Sequence, residues 1–119
     1  DYHHYINWLA HSDATLTFPQ TVVLRYTLQE IGIADKAAEG YRRWFVARLK
    51  LLEQTLESRE YLCSNRFTIA DICVSYALHL AKSLQIDEAF KPNIKRWTDM
   101  LFDRDGFNRA VSIRYKEPE

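Results

Sequence analysis

Between Phe67 and Ile72 the chain reads Phe-Thr-Ile-Ala-Asp-Ile, and no other stretch restricts the fold as tightly. The Thr68 hydroxyl can accept a hydrogen bond from the backbone amide three residues on, while the Asp71 carboxylate can accept one from the amide of Thr68. This is a capping box, with Asp in place of the more usual Glu. Phe67 before the cap and Ile72 at the fourth helical position have the spacing of a hydrophobic staple. A helix is therefore predicted from Ile69 to about Leu84, and truncating Thr68 or Asp71 to Ala is expected to cost about 1 kcal/mol each, more if the box is buried. Ile69, Ile72, Cys73, Tyr76, Ala77, Leu80 and Leu84 form one apolar face. Ala70, Val74, Leu78 and Ala81 widen it until Asp71, Ser75, His79 and Lys82 are left as a thin polar stripe, which predicts a central, buried helix.

The rest of the chain follows the same period. Only three glycines and three prolines occur, and no stretch alternates apolar with polar residues for long, so the prediction is an all-α bundle of five or six helices without a sheet. Tyr2, Tyr5, Ile6, Leu9, Asp13 and Leu16 repeat at helical spacing, and Val22, Val23, Tyr26 and Ile31 resume it beyond Pro19. We read one long first helix, kinked or briefly broken at Pro19 and ending near Gly32. A second helix spans about Asp35 to Glu57, with Tyr41, Phe45, Leu49, Leu52 and Leu56 on one face and charged residues such as Glu53 elsewhere. Pro92 suits a first helical position, opening a short helix to about Asp103. A final turn or two is expected from Asp105 as N-cap, with Phe107, Ala110 and Val111 packing inward. Residues 1–113 would be one domain and the charged 114–119 a frayed tail.

Composition narrows the function classes. With 119 residues, 47% of them hydrophobic, the chain can fill a single core without staples. Sixteen basic and sixteen acidic residues cancel, leaving no overall field for a phosphate backbone or an anionic membrane. Neither nucleic acid nor membrane is an expected partner, and the expected location is cytoplasmic. Cys63 and Cys73 form no metal-type pair and read as buried structural thiols. His3, His4 and His11 do not converge at helical geometry, so solvent-facing histidines are expected and no metal. Asp103-Arg104-Asp105-Gly106 fails as a calcium loop, because Gly106 at the sixth position puts Leu101 at the first and Ser112 at the twelfth. Tyr2, Tyr5 and Trp8 are better read as core or subunit interface than as a ligand cleft. Asp13 falls on or beside an apolar face, where a charge needs a partner.

The Phe67–Ile72 hexapeptide resembles the N-capping box and staple of the central helix in the C-terminal, all-helical domain of cytosolic glutathione transferases. Trp8-Leu9 with Asp13, Thr15 and Leu16 resembles the first helix of that domain. The Trp44–Leu56 stretch with Tyr61-Leu62 resembles its second helix and following loop. Pro92 with Trp97, and Asp105-Gly106-Phe107-Asn108-Arg109-Ala110, are similar to its late helix and closing turn. The family usually has Gly near Ser64 or Asn65, and Pro where Gly106 stands; the second departure is expected to loosen the last helix.

The resemblance implies a detoxifying transferase. It implies that the full-length protein conjugates glutathione, its co-substrate, to small apolar electrophiles, and that it forms a homodimer. A thioredoxin-like N-terminal domain outside this chain would bind glutathione and hold its thiolate, the helical domain supplying the wall for the electrophile. No catalytic residue is expected here. Asp13 and Thr17 are the implied substrate-binding positions, the partner of Asp13 being either a nearby Arg or Lys or the amino group of glutathione on the other subunit. The chain alone is expected to carry no cofactor and to hold glutathione weakly, since it has no Gly-rich loop or strand-to-helix turn to supply backbone amides. The resemblance also admits a non-catalytic assembly module of the kind found in translation-related complexes.

Overall fold

A computed structural model describes residues 2–26, 32, 34–63 and 65–114. Helices account for nearly all of them: α1 (Tyr2–His11), a π-helical turn (Ser12–Thr17), α2 (Phe18–Leu24), α3 (Asp35–Glu57), α4 (Ile69–Ser83), a 3-10 turn (Asp87–Ala89), α5 (Pro92–Phe102) and α6 (Asp105–Arg114). Among the described residues there is no strand; Cys63 and Arg66 form an isolated bridge. The all-α expectation and the bounds of α3 hold as read.

The break in the first helix does not fall on Pro19. It falls in the turn before it, where the Phe18 N–H donates to the Asp13 carbonyl, five residues back, and the Thr17 hydroxyl donates to the Ser12 carbonyl at 2.8 Å. Pro19 offers no N–H to a carbonyl four or five residues earlier, so the ladder widens upstream of the ring instead of snapping at it. The expected end of this helix lies outside the described residues; Gly32 itself has φ +82°, a backbone shape that suits glycine.

α4 sits at the middle, with α1, the π-helical turn and α5 packed on it, while α2 and α5 pack on α3. The face it buries is not the one its large side chains suggest. Ala70, Asp71, Val74, Ser75, Ala77, Leu78 and Ala81 are buried, whereas Ile69, Ile72 and Tyr76 remain 57%, 50% and 45% exposed. The small residues let neighbouring helices approach closely, so Asp71 and Ser75 of the supposed polar stripe turn inward, Lys82 stays exposed, and Ile69, Ile72 and Tyr76 remain outside. Phe45, Leu49, Leu52 and Leu56 of α3 complete the core with Leu16, Ile94 and Trp97.

Both arms of the capping box are formed, with the Thr68 N–H donating to Asp71 Oδ2 at 2.9 Å. Asp71 does more than cap. Its Oδ1 also accepts from the Leu62 N–H at 3.0 Å and from the Trp97 indole N–H at 3.2 Å, so one fully buried carboxylate ties α4 to the preceding loop and to α5. Phe67 is half-buried against Tyr61, and Ile72 keeps half its surface, so the staple covers one partner better than the other.

At its other end α4 closes with a Schellman motif. The Ile86 N–H donates to the Ala81 carbonyl and the Gln85 N–H to the Lys82 carbonyl, both at 3.0 Å, with Gln85 at φ +58°. A left-handed non-glycine residue stores about 1–2 kcal/mol of strain. Gln85→Gly is therefore expected to raise stability by about 0.5–1 kcal/mol after the entropy cost of glycine. A urea midpoint that falls instead of rising would contradict this account.

α3 and α5 cap one another. Glu53 of α3 accepts from the Asn93 and Ile94 N–H groups through its two oxygens at 3.0 and 2.9 Å, the two donors that follow Pro92 in the first turn of α5. In return Arg96 of α5 donates to the Leu56 and Arg59 carbonyls at the end of α3, at 3.1 and 3.2 Å. α6 is held differently. None of its residues is buried; Ala110 is exposed and Phe107 and Val111 only half-buried, contrary to the expected inward packing, and Asp105 is its first helical residue, not its cap. Phe107 stacks on Phe102 with ring centres 4.7 Å apart and meets the His79 ring edge-on at 5.2 Å. Of the predicted tail 114–119, Arg114 is the last residue of α6 and bonds to Tyr76, and 115–119 lie outside the described residues.

Candidate functional site

The π-helical turn gathers the two sequence-predicted site residues. Asp13 and Thr17 line one shallow depression of about 410 Å³ together with Ala14, Phe18 and Thr21. Asp13 is exposed, so its carboxylate stands in water and not on an apolar face as the spacing suggested; Ile6, two turns earlier on the same face, is itself 44% exposed. Beside it the Phe18 ring, 56% exposed, meets the Tyr41 ring of α3 edge-on at 6.3 Å. An anionic oxygen, a hydroxyl and an aromatic wall can together receive an ammonium group or a polarised apolar molecule.

Behind the turn the structure places a residue that the sequence reading passed over. Gln20 is buried, and its amide nitrogen donates to the Leu16 carbonyl at 3.0 Å and to the Ala77 carbonyl of α4 at 2.8 Å, while its own Oε1 is buried without a partner. It pins the start of α2 to the centre of α4. A polar residue at a core position is the one signal that could have found it.

The histidines divide. His3 and His4 are exposed as expected, but His11 is half-buried, packed edge-on against Trp8 at 5.1 Å, with a buried Nε2 that has no partner. Burial, and then the nearby Arg48 guanidinium, lower its pKa below the ordinary histidine value. The solvent-facing reading of His11 is therefore corrected. Among the described residues no three His, Cys, Asp or Glu side chains are gathered as a metal ion needs. Cys63 is buried and Cys73 half-buried, both unbridged. Of the N-terminal aromatics Trp8 is core, Tyr5 half-buried and Tyr2 exposed.

A larger cleft, about 710 Å³, opens between α4 and α6. Its walls are Phe67, Ile72, Tyr76, Leu101, Phe107 and Val111, with His79, Arg104 and Arg114 as polar members. The Arg104 guanidinium lies 3.8 Å from the centre of the Phe67 ring, and Arg114 donates to the Tyr76 hydroxyl at 2.7 Å. His79 has its pKa lowered by burial, then by Arg114 and Lys82.

Three findings relate this architecture to known proteins. Residues 27–105 match the family described as glutathione S-transferase, C-terminal domain. A valine–tRNA ligase from Takifugu rubripes is 25% identical over 107 residues, which are 87% of this chain and 9% of that protein. The crystal structure of the glutathione transferase URE2P6 from Phanerochaete chrysosporium, in complex with oxidized glutathione, superposes with a TM-score of 0.81 at 21% identity. That overlap covers 95% of this chain and 53% of the other, so the chain spans about half of the solved relative and a small part of the curated one. No helix of the described residues is long and apolar enough to cross a membrane.

Proposed function

The chain belongs to the glutathione S-transferase C-terminal domain family, and from that premise we propose that it is the helical half of a cytoplasmic, homodimeric glutathione transferase. In this reading a thioredoxin-like domain of the parent protein binds glutathione and holds its thiol as the thiolate. The sulfur attacks an electrophilic carbon, forms the new carbon–sulfur bond, and the leaving group departs with its electron pair. The helical half supplies the wall against which the apolar electrophile is held. The observation that carries the reading is the π-helical turn, which brings Asp13 and Thr17 to one depression within a fold that overlaps a glutathione transferase over 95% of the chain. Exposed Tyr2, Ile6 and Phe18 support a dimer face, since the fold of one subunit leaves them uncovered.

The two residues take separate roles. Asp13 accepts a hydrogen bond from the glutathione amino group of the partner subunit, and Thr17 borders the electrophile. With the parent protein, glutathione and an activated aryl chloride, Asp13→Asn is expected to raise KM for glutathione about tenfold with kcat little changed, the loss of one charge-assisted hydrogen bond of about 1.4 kcal/mol. Thr17→Val is expected to shift KM for the aryl chloride alone. Unchanged KM values for both variants would refute the assignment.

The match to a valine–tRNA ligase supports a second reading, an assembly module, because the shared domain there makes up only 9% of an enzyme with a different name. A parent that leaves glutathione and the aryl chloride unreacted, and that needs this domain to join a translation-related complex, would favour it.

A further inference from the structure

We propose, resting on the conjugation reading, that Gln20 is a positioning residue of that site, its buried side-chain amide holding the π-helical turn against α4 in the register that presents Thr17 and Phe18 to the electrophile. Gln20 is 3% exposed and lines no part of the Asp13–Thr21 depression, so it acts from behind the wall. The backbone leaves a gap at this point. Pro19 has no N–H, and the ladder of helical hydrogen bonds loses a donor where the turn passes into α2. The Gln20 side chain supplies one. Its Nε2 donates to the Leu16 carbonyl of the turn at 3.0 Å and, across 57 positions of sequence, to the Ala77 carbonyl of α4 at 2.8 Å. One NH2 group thus bridges the turn to the central helix and fixes both their separation and their rotation.

Packing alone does not call for an amide here. Met would fill nearly the same volume without polar atoms, whereas Gln20 keeps an Oε1 that is buried without a partner in the protein, a cost an apolar side chain avoids. What the amide adds against that cost is direction. The residues it directs are the next in the chain. Thr17 adjoins Leu16, and Phe18, whose N–H closes the turn on the Asp13 carbonyl, adjoins Pro19. Both line the depression, and the Phe18 ring meets Tyr41 of α3 edge-on. With the Leu16 carbonyl released from α4, the turn is free to rotate, and a wall displaced by about 1 Å holds a bound molecule less well. Asp13 stands upstream of Leu16 and depends on the amide less.

The test is Gln20→Met in the full-length protein, beside Glu53→Ala, a variant that lowers stability away from the turn. In Gln20→Met the peptide carrying Phe18 should exchange its amide hydrogens about tenfold faster, read by mass spectrometry, while peptides from the middle of α4 keep their rates. KM for the aryl chloride should rise about fivefold, with kcat and KM for glutathione within about twofold. Gln20→Leu, which loses the same donor, should behave alike. Glu53→Ala should leave all three constants within about twofold although it unfolds at lower urea. An unchanged exchange rate at Phe18, or a KM for the aryl chloride unmoved by Gln20→Met while Thr17→Val moves it, would overturn the proposal. So would an equal rise of that KM in Glu53→Ala, which would mean that stability and not position sets it. If Asp13→Asn and Thr17→Val both leave KM unchanged, the conjugation reading fails by itself, and exchange at Phe18 alone decides whether the amide holds the turn.

Discussion

Replacing Asp71 by Ala is expected to remove about 3–5 kcal/mol of stability, several times what an ordinary helix cap contributes. The reason is the number of donors left behind. Leu62 N–H, Thr68 N–H and the Trp97 indole N–H all point at this carboxylate from 2.9 to 3.2 Å, and Trp97 and Leu62 are fully buried. Each abandoned buried donor costs about 1–3 kcal/mol because water cannot replace the lost acceptor. Asp71→Asn is the discriminating companion. Its remaining oxygen can keep Leu62 and Trp97, while the new NH2 group turns against the Thr68 N–H, so about 1–2 kcal/mol should go. Urea denaturation measures both, the Ala variant lowering the midpoint by about 2 M at the slope of a small domain. Equal, small losses for the two variants would mean that the carboxylate acts as a cap only.

The second large effect is expected at Glu53. Removing its carboxylate by Glu53→Ala leaves the Asn93 and Ile94 N–H groups at the start of α5 without their acceptor and should cost about 2–3 kcal/mol, since hydrogen bonds to charged groups contribute about 1.5–3. Half-exposure of the site permits partial replacement by water and keeps the loss below the sum of two such bonds. Arg96→Ala should cost less, because its acceptors are the Leu56 and Arg59 carbonyls at a helix end that water can reach. A double-mutant cycle reads the coupling, expected at about 0.5–1 kcal/mol for two contacts that fasten one helix pair. A Glu53→Ala variant within 0.5 kcal/mol of the parent would show that α5 starts on its own propensity.

What the sequence could disclose was local. Thr68 and Asp71 are three residues apart, and the box they form was legible because both partners lie within one turn. The other donors to Asp71, Leu62 and Trp97, are nine and twenty-six residues away, beyond any pattern read along a single helix. Which part of the broad apolar surface of α4 stays outside is illegible for a related reason. Ile69, Ile72 and Tyr76 carry more apolar area than Ala70, Ala77 and Ala81, but a tight seam between helices selects for small side chains, and helical spacing does not record how close a neighbour comes. Asp13 and Thr17 pair through the resemblance and a spacing of one turn, and both line one depression. His79, Arg104 and Arg114 were not seen as a group, because only the return of α6 past α4 brings them to one cleft.

The π-helical turn also has a bearing on chain length. Buried positions along α1, the turn and α2 fall at Trp8, Ser12, Leu16, Pro19, Gln20 and Val23. The turn closes through the Phe18 N–H on the Asp13 carbonyl, five residues back, where an ordinary helix reaches back four. Such a widened turn amounts to one residue inserted into an otherwise regular helix. A homologous chain shorter by one residue between Ser12 and Thr17 could keep both flanking helices seated on α4 and α3, yet it would lose the bulge that opens the depression. Indels at this point would therefore be a marker of gain or loss of the site, one that counting residues detects where comparing their identities does not.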